Sequence, residues 1–201
     1  MADKYPCFAA LSEHETAGVD FGVILRRSRD SFALVAPHGG IEAGTPEIAD
    51  ASAGADFSFY AFEGLKRSGN GDLHITSTRF DEPLCLALIA ESKVVVTIHG
   101  EESAGRKVFL GGLDDELAGR IGDALRAAGF TVALHPDPAL QGREPTNLCN
   151  RGQAGAGVQL ELSKGLRRQM FENLTREGRK HPTQKLADFA EALNEALTSK
   201  E

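Results

Sequence analysis

The chain has 201 residues, of which 41% are hydrophobic and 25% charged, a composition typical of a globular protein, and its length suits a single domain over residues 1–201. The formal net charge of −7 argues against non-specific binding of nucleic acid. No apolar run approaches the roughly 18 residues that span a bilayer, so no membrane segment is expected.

Strand and helix patterns alternate along the chain with short connections, which is typical of an α/β domain with a mostly parallel sheet. In chain order we predict helix 9–15, strands 21–26 and 31–36, helix 46–54, strands 57–62 and 73–77, helix 81–92, strands 94–98 and 108–110, helix 114–128, strands 130–134 and 158–162, and helices 164–176 and 183–199. We therefore expect a three-layer domain whose mostly parallel mixed sheet is flanked by helices. One long aperiodic segment, 137–157, is a candidate functional loop.

The N-terminal sequence and the cysteines bear on the expected location of the protein in the cell. The N-terminus lacks a basic region followed by an apolar stretch, so no secretory signal is expected and the protein is predicted to be cytoplasmic, with release by lysis as an alternative. Cys7, Cys85 and Cys149 are dispersed and odd in number, which argues against a disulfide framework, and none of them forms a CxxC metal pair. The sequence leaves the oligomeric state open, with a monomer as one option.

Polar side chains lie where three predicted strands end, and ligands bind at the carboxyl ends of strands in an open α/β sheet. His38 follows strand 31–36, His99 follows strand 94–98, and Glu161 lies near the end of strand 158–162. Two histidines and a carboxylate are a common catalytic zinc set that leaves one position open for water. We therefore predict a metal site that contains His38 and His99.

The third ligand is expected close to His38. Glu42 is four residues further on, and Gly39 and Gly40 between them allow a tight loop that turns both side chains toward one ion. Glu47 is the alternative ligand, although a carboxylate in the first turn of a helix is also explained by the helix dipole. His74, between two apolar residues, either supports the site or faces the core.

Glu161 lies between two leucines in a strand that reads as buried. Charged side chains are rarely buried without a partner, so this carboxylate is a metal ligand, a catalyst with a raised pKa, or half of an ion pair with Arg151 or Lys164. Just before that strand, Asn150 and Arg151 offer an amide and a planar fork that match a substrate carboxylate. Arg79 is a second candidate for that contact, and loop packing is the alternative role of these arginines.

Five segments resemble the phage-type poly-γ-glutamate hydrolases, whose bacterial relatives are often labelled phage-related replication proteins. They are APHGGIEAGTPEIA (36–49), FYAFEGLK (59–66), LHITSTRFDEP (73–83), VVTIHG (95–100) and NLCNRGQAGAGVQLELS (147–163). Together they span most of the chain in the family's order. The resemblance implies a fold similar to the zinc carboxypeptidases and a zinc hydrolase that cleaves γ-glutamyl amide bonds of an acidic polymer.

Residue roles follow from the same resemblance. It implies that Zn²⁺ is bound by His38, Glu42 and His99, that Glu161 is the general base for the zinc-activated water, and that Arg151 binds a substrate carboxylate. The first motif is one residue shorter than is usual in the family, which keeps Glu47 as an alternative ligand, and Arg79 stands where relatives often have histidine.

Two other functions remain open at this point. The first is a deacylase for small N-acyl amino acids, of the N-formylglutamate or succinylglutamate type, in which loop 137–157 would roof a closed pocket. The second is a non-catalytic binder of acidic polymers, which would not require the complete set of metal ligands and Glu161.

Overall fold

The computed structural model describes residues 3–198, so Ser199, the predicted end of the last helix, lies outside the described residues. The strands are β1 (Phe21–Arg26), β2 (Phe32–Gly39), β3 (Ser58–Gly64), β4 (Val94–Glu101), β5 (Lys107–Gly112), β6 (Thr131–Leu134) and β7 (Val158–Ser163). The helices are α1 (Phe8–Ser12), α2 (Thr45–Ala53), α3 (Pro83–Glu91), α4 (Asp115–Ala127), α5 (Lys164–Met170) and α6 (Gln184–Thr198). Within the described range, none of the helices is long and apolar enough to cross a membrane.

The seven strands of residues 3–198 form one mixed sheet in the order β1-β3-β2-β4-β7-β5-β6. The four central strands β3, β2, β4 and β7 are parallel, β1 pairs antiparallel with β3, and β5 pairs antiparallel with β7. The predicted mostly parallel mixed sheet is therefore confirmed. Its central strands carry buried side chains on both faces, as expected for parallel strands covered on both sides.

Helices cover both faces of this sheet, which gives the predicted three layers. Successive side chains of a strand point to opposite faces, so Leu34 and Ala36 of β2 face one layer and Ala33 and Val35 face the other. The first layer contains the apolar sides of α2, α4, α5 and α6, and the second contains α1 and α3. All three cysteines are free, and Cys85 is buried in the second layer.

Two predicted elements differ from the structure. Segment 73–77 is not a strand: a 3₁₀ turn ends at Leu73, and the segment after it is irregular although Leu73 and Ile75 are buried. Its backbone bonds to a side chain instead of a strand, because the Thr76 amide donates to the Asp3 carboxylate at 2.9 Å. The predicted helix 164–176 ends at Met170, since Phe171 then pairs with Pro182 in an isolated antiparallel bridge.

Candidate active site

The central parallel strands bring three predicted site residues to one edge of the sheet. His38 and His99 lie near the carboxyl ends of β2 and β4, and both strands extend beyond their predicted ends. Glu161 lies in the neighbouring strand β7. His99 and Glu161 are directly paired in the register of β4 and β7. The order β2-β4-β7 therefore places the two histidines and the carboxylate side by side.

A tight turn brings Glu42 back to His38. Gly40 has a φ of 75°, and a Cβ at this position would lie 2.3 Å from the carbonyl oxygen of Gly64. Only glycine fits such a left-handed position against another backbone. The Glu42 amide then donates to the His38 carbonyl at 2.9 Å, which fixes both side chains on the same side of the turn.

The donor atoms of His38, Glu42 and His99 lie close enough to share one ion. His38 Nδ1 is 3.0 Å from Glu42 Oε1 and 3.2 Å from His99 Nδ1, and His99 Nδ1 is 3.5 Å from Glu42 Oε2. Tetrahedral zinc ligands at about 2.0–2.2 Å from the ion are roughly 3.3 Å from one another. Two imidazole nitrogens and one carboxylate at these separations fit Zn²⁺ in donor chemistry and in spacing.

Each of these three side chains is also oriented by a hydrogen bond on its far side. His38 Nε2 lies 2.9 Å from the Ile75 carbonyl, and His99 Nε2 lies 3.3 Å from Ser77 Oγ. A proton held on Nε2 leaves the Nδ1 lone pair free for a metal. Glu42 Oε2 accepts from the Gly100 amide at 2.9 Å. The irregular segment after Leu73 therefore supports both histidines.

The electrostatics of the group favour a bound cation. Burial opposes a charge on His38, but the Glu42 carboxylate and the Ile75 carbonyl outweigh it and raise the pKa of His38. Burial alone would raise the pKa of Glu42, but the charges of His38 and His99 hold that pKa well below its usual range. Glu42 is therefore an anion beside two imidazole rings, and its charge favours a cation at this point, either protons on the rings or a metal ion that replaces them.

The alternative ligand Glu47 lies elsewhere. Its Oε1 accepts from Arg179 Nε at 2.6 Å, and the same guanidinium lies 3.4 Å from Glu63 Oε1. Of the two candidate carboxylates, the structure brings Glu42 and not Glu47 to the histidines.

His74 is also close to the group, since donor atoms of His38, Glu42 and His74 all lie within 4.8 Å of one another. Its ring centroid is 4.3 Å from that of His38. However, His74 Nδ1 is bonded to Asp3 Oδ1 at 2.7 Å, whereas His99 Nδ1 lies 3.2 Å from His38 Nδ1 and 3.5 Å from Glu42 Oε2. His99 is therefore the better third donor, and His74 lies beside the group.

Glu161 is a buried carboxylate with 6% of its surface exposed. Burial raises its pKa to about 7, and the charge of His99 opposes only part of that rise. Neither predicted ion-pair partner is in contact with it: Lys164 pairs with Glu102, and Arg151 donates to the Phe80 carbonyl at 2.8 Å. A carboxylate that titrates near neutral pH is suited to accept and return a proton.

These groups open into a cavity of about 410 Å³. Segment 76–78 lines part of it, and the long loop predicted as functional lines another part through residues 138–140, 142–144 and 147. That loop contains 3₁₀ turns at Pro138–Leu140 and Leu148–Arg151. A cavity wall made by this loop is the feature expected of the small-molecule deacylases.

The three residues predicted to bind a substrate carboxylate do not line this cavity. Arg79 bonds to Asp3 at 2.5 Å, and Arg151 bonds to the Phe80 carbonyl. Asn150 is buried, where it donates to the carbonyls of Gly142 and Glu144 at 2.8 and 2.9 Å and so holds the loop in shape. Their contact with substrate remains a prediction.

Sequence reasoning missed Arg143. It is the only arginine or lysine of residues 3–198 that lines the cavity, and it makes a two-pronged ion pair with Asp115 at 2.7 and 3.2 Å. Its place in the long aperiodic loop, which is predicted to be functional, indicates a candidate for substrate binding. Nothing in the sequence distinguishes it from Arg151 in the same loop.

Comparison with known proteins identifies relatives across almost the whole chain. The sequence profile of the family described as poly-gamma-glutamate hydrolase matches residues 5–192. The SPbeta prophage-derived UPF0714 protein YoqZ of Bacillus subtilis (strain 168) is 39% identical over 180 residues, which are 89% of this chain. This chain spans 65% of the length of YoqZ.

Two solved structures are similar throughout. The structure of a bacteriophage poly-gamma-glutamate hydrolase is 36% identical, with a TM-score of 0.93 over 98% of this chain and 97% of the other. A zinc-free structure of YndL is 33% identical, also with a TM-score of 0.93, over 98% of each chain. A metallo-carboxypeptidase from Burkholderia cenocepacia, 11% identical with a TM-score of 0.50 over 87% of this chain and 59% of its own, shares the fold.

Proposed function

The chain belongs to the poly-gamma-glutamate hydrolase family, and from this premise we propose that it is a zinc-dependent hydrolase that cleaves γ-glutamyl amide bonds of an acidic polymer. The observation that carries the proposal is the placement of a buried carboxylate with a raised pKa, Glu161, on the strand next to a compact group of two histidines and a glutamate.

In this proposal His38, Glu42 and His99 hold the metal. Their mutual separations of 3.0–3.5 Å support this choice, as does the zinc-free description of the similar YndL structure, which implies a zinc-bound form of that protein. When bound, Zn²⁺ polarises a carbonyl group and lowers the pKa of a water molecule to about 7. The far-side hydrogen bonds of the two histidines keep their Nδ1 lone pairs directed at one point.

Glu161 is the general base. Its carboxylate accepts a proton from the attacking water and passes that proton to the departing amine nitrogen, so the same residue serves both halves of the reaction. A pKa raised to about 7 by burial suits both steps, because the group is readily ionised and readily protonated near neutral pH. The amide of Gln159, 3.0 Å from Glu161 Oε1, keeps one oxygen occupied and aims the carboxylate.

Arg143 is the residue that we assign to the substrate carboxylate. A γ-linked glutamate polymer carries a free carboxylate on every unit, and among residues 3–198 Arg143 is the only arginine or lysine lining the cavity that could pair with one. Arg143 uses one N–H on each terminal nitrogen for Asp115, so three of its five donors remain for a ligand. The earlier candidate Arg151 would first have to leave the Phe80 carbonyl.

The test is hydrolysis of matched γ-linked and α-linked glutamate oligomers by the zinc-loaded protein and by Glu161→Gln. We expect cleavage confined to γ-linkages, and a loss of roughly 10²–10⁴-fold in kcat for Glu161→Gln with zinc retained. Cleavage of neither oligomer, together with hydrolysis of N-formylglutamate or N-succinylglutamate, would support the small-molecule deacylase instead. Zinc binding without any hydrolysis would support a non-catalytic polymer binder.

A further inference from the structure

Arg167, in helix α5, is one of the largest fully buried side chains of residues 3–198, with 1% of its surface exposed. A buried charge is costly unless hydrogen bonds replace its hydration. An uncharged side chain of similar volume would avoid that cost. The guanidinium does not line the cavity, so contact with a substrate does not account for it.

The hydrogen bonds of Arg167 connect three backbone segments. Nη1 donates to the Ala43 carbonyl at 2.7 Å, Nη2 to the Glu101 carbonyl at 3.0 Å, and Nε to the Leu162 carbonyl at 3.1 Å. A carboxylate oxygen of the exposed Glu102 lies 3.4 Å from Nη2.

Each of those carbonyls belongs to a segment that carries a residue of the candidate active site. Ala43 directly follows Glu42, Leu162 directly follows Glu161, and Glu101 is two residues after His99. One rigid, planar group therefore bonds to the loop of the carboxylate ligand, the strand of the histidine ligand and the strand of the general base. Lysine, with a single flexible ammonium, cannot reproduce this three-way geometry.

Gly100 makes this arrangement possible. A Cβ at position 100 would lie 2.6 Å from Cζ and 2.8 Å from Nε of Arg167, so any other residue would displace the guanidinium. Gly100 directly follows His99, and its amide donates to Glu42 Oε2. The guanidinium thus packs against the residue that follows His99 and hydrogen-bonds to Glu42.

We propose that Arg167 is a positioning residue that sets the spacing between the metal-binding group and the Glu161 carboxylate by holding the segments that carry them. The inference rests on the proposed metal site, and it adds a residue that touches neither metal nor substrate. Loss of such supporting contacts typically weakens metal affinity or activity by 10–100-fold.

The test compares Arg167→Lys with Arg168→Lys, a matched substitution of the exposed neighbouring arginine on the same helix. Zinc affinity is measured by competition with a chromophoric chelator, the ligand geometry by the visible spectrum of the Co²⁺-loaded protein, and kcat and KM on a γ-linked glutamate oligomer. For Arg167→Lys we expect a zinc Kd at least about tenfold higher, an altered Co²⁺ spectrum, and a kcat at least about tenfold lower with little change in KM. Arg168→Lys should match the wild type in every measurement.

A folded Arg167→Lys protein with wild-type zinc affinity, spectrum and kcat would overturn the proposal, even if its melting temperature fell. If Arg167→Lys does not fold, Gly100→Ala decides the question, because it displaces the guanidinium without removing it. Wild-type zinc affinity in folded Gly100→Ala would equally overturn the proposal. If the wild type binds zinc but cleaves no γ-glutamyl bond, the proposed function fails, while the comparison of zinc affinities still tests Arg167.

Discussion

The side-chain amide of Gln159 donates a hydrogen bond to Glu161 Oε1 at 3.0 Å, although the two residues lie on the same strand. They are two positions apart, so their side chains point to the same face of the sheet. The same amide nitrogen donates to the Leu140 carbonyl at 3.1 Å, and the Gln159 oxygen accepts from Asn147 Nδ2 at 3.0 Å. The proposed general base is therefore tied through Gln159 to the loop that forms one wall of the cavity.

Replacing Gln159 should impair the chemical step. In Gln159→Leu the Glu161 carboxylate loses its amide donor and the loop loses two hydrogen bonds, so we expect kcat to fall about tenfold or more. Steady-state kinetics on a γ-linked oligomer measure this. The control is Gln153→Leu, because Gln153 is exposed and donates to the Ala90 carbonyl outside the cavity. An unchanged kcat in Gln159→Leu would show that Glu161 needs no support from the loop.

The raised pKa of Glu161 predicts a pH dependence of stability in the metal-free protein. Burial raises the pKa from an ordinary 4.5 to about 7, so the folded state favours the protonated form. The stabilisation is complete below pH 4.5 and is lost as the pH rises through about 7, a change on the order of 3 kcal/mol. Glu161→Gln removes this dependence. Urea unfolding between pH 4 and 8 gives the free energy of unfolding of both proteins. The value for Glu161→Gln should rise relative to that of the wild type up to about pH 7. A difference between the two that does not change with pH would contradict the raised pKa.

The choice of histidine ligands can be tested with two variants. His99 Nδ1 is 3.2 Å from His38 Nδ1, whereas His74 bonds to Asp3. We therefore expect His99→Ala to lose stoichiometric zinc and His74→Ala to retain it, as measured by elemental analysis after dialysis. Retention of zinc by His99→Ala together with its loss from His74→Ala would assign the metal to His38, Glu42 and His74.

The choice between Glu42 and Glu47 as the carboxylate ligand can be tested with a matched pair of variants. Glu42→Gln should weaken zinc binding by at least about tenfold, because it removes the negative charge 3.0 Å from His38 Nδ1. Glu47→Gln should leave zinc affinity nearly unchanged and should weaken only the ion pair with Arg179. Chelator competition measures both, and the opposite ranking would restore Glu47 as the ligand.

Much of the site's position follows from local sequence patterns. Apolar runs such as that of β4 identify buried strands, and parallel neighbours place their carboxyl ends together, so His38, His99 and Glu161 were predicted at one edge. The spacing from His38 to Glu42 with two intervening glycines gave the turn that the structure has at Gly40.

The remaining features depend on contacts between distant parts of the chain. The segment after Leu73 alternates like a strand, but Thr76 bonds to the Asp3 side chain, 73 residues away in sequence, which no local pattern encodes. No local pattern predicts the burial of Arg167, because that burial depends on how α5 packs against β4 and β7. The contacts of Arg151 and Arg143 depend on the path of an aperiodic loop, so the sequence offered no means to rank them.

Those two arginines provide the test of substrate recognition. Arg143→Gln should raise KM for a γ-linked glutamate oligomer about tenfold while kcat changes little, because a charge-assisted bond to a carboxylate is lost from substrate binding. Arg151→Gln should leave KM nearly unchanged, since its guanidinium is bound to the Phe80 carbonyl away from the cavity. Arg126→Gln, which removes another arginine with an exposed ion pair on α4, controls for net charge. Raised KM in Arg151→Gln alone would return the carboxylate contact to the residue that the sequence first indicated, and would require the loop to rearrange when substrate binds.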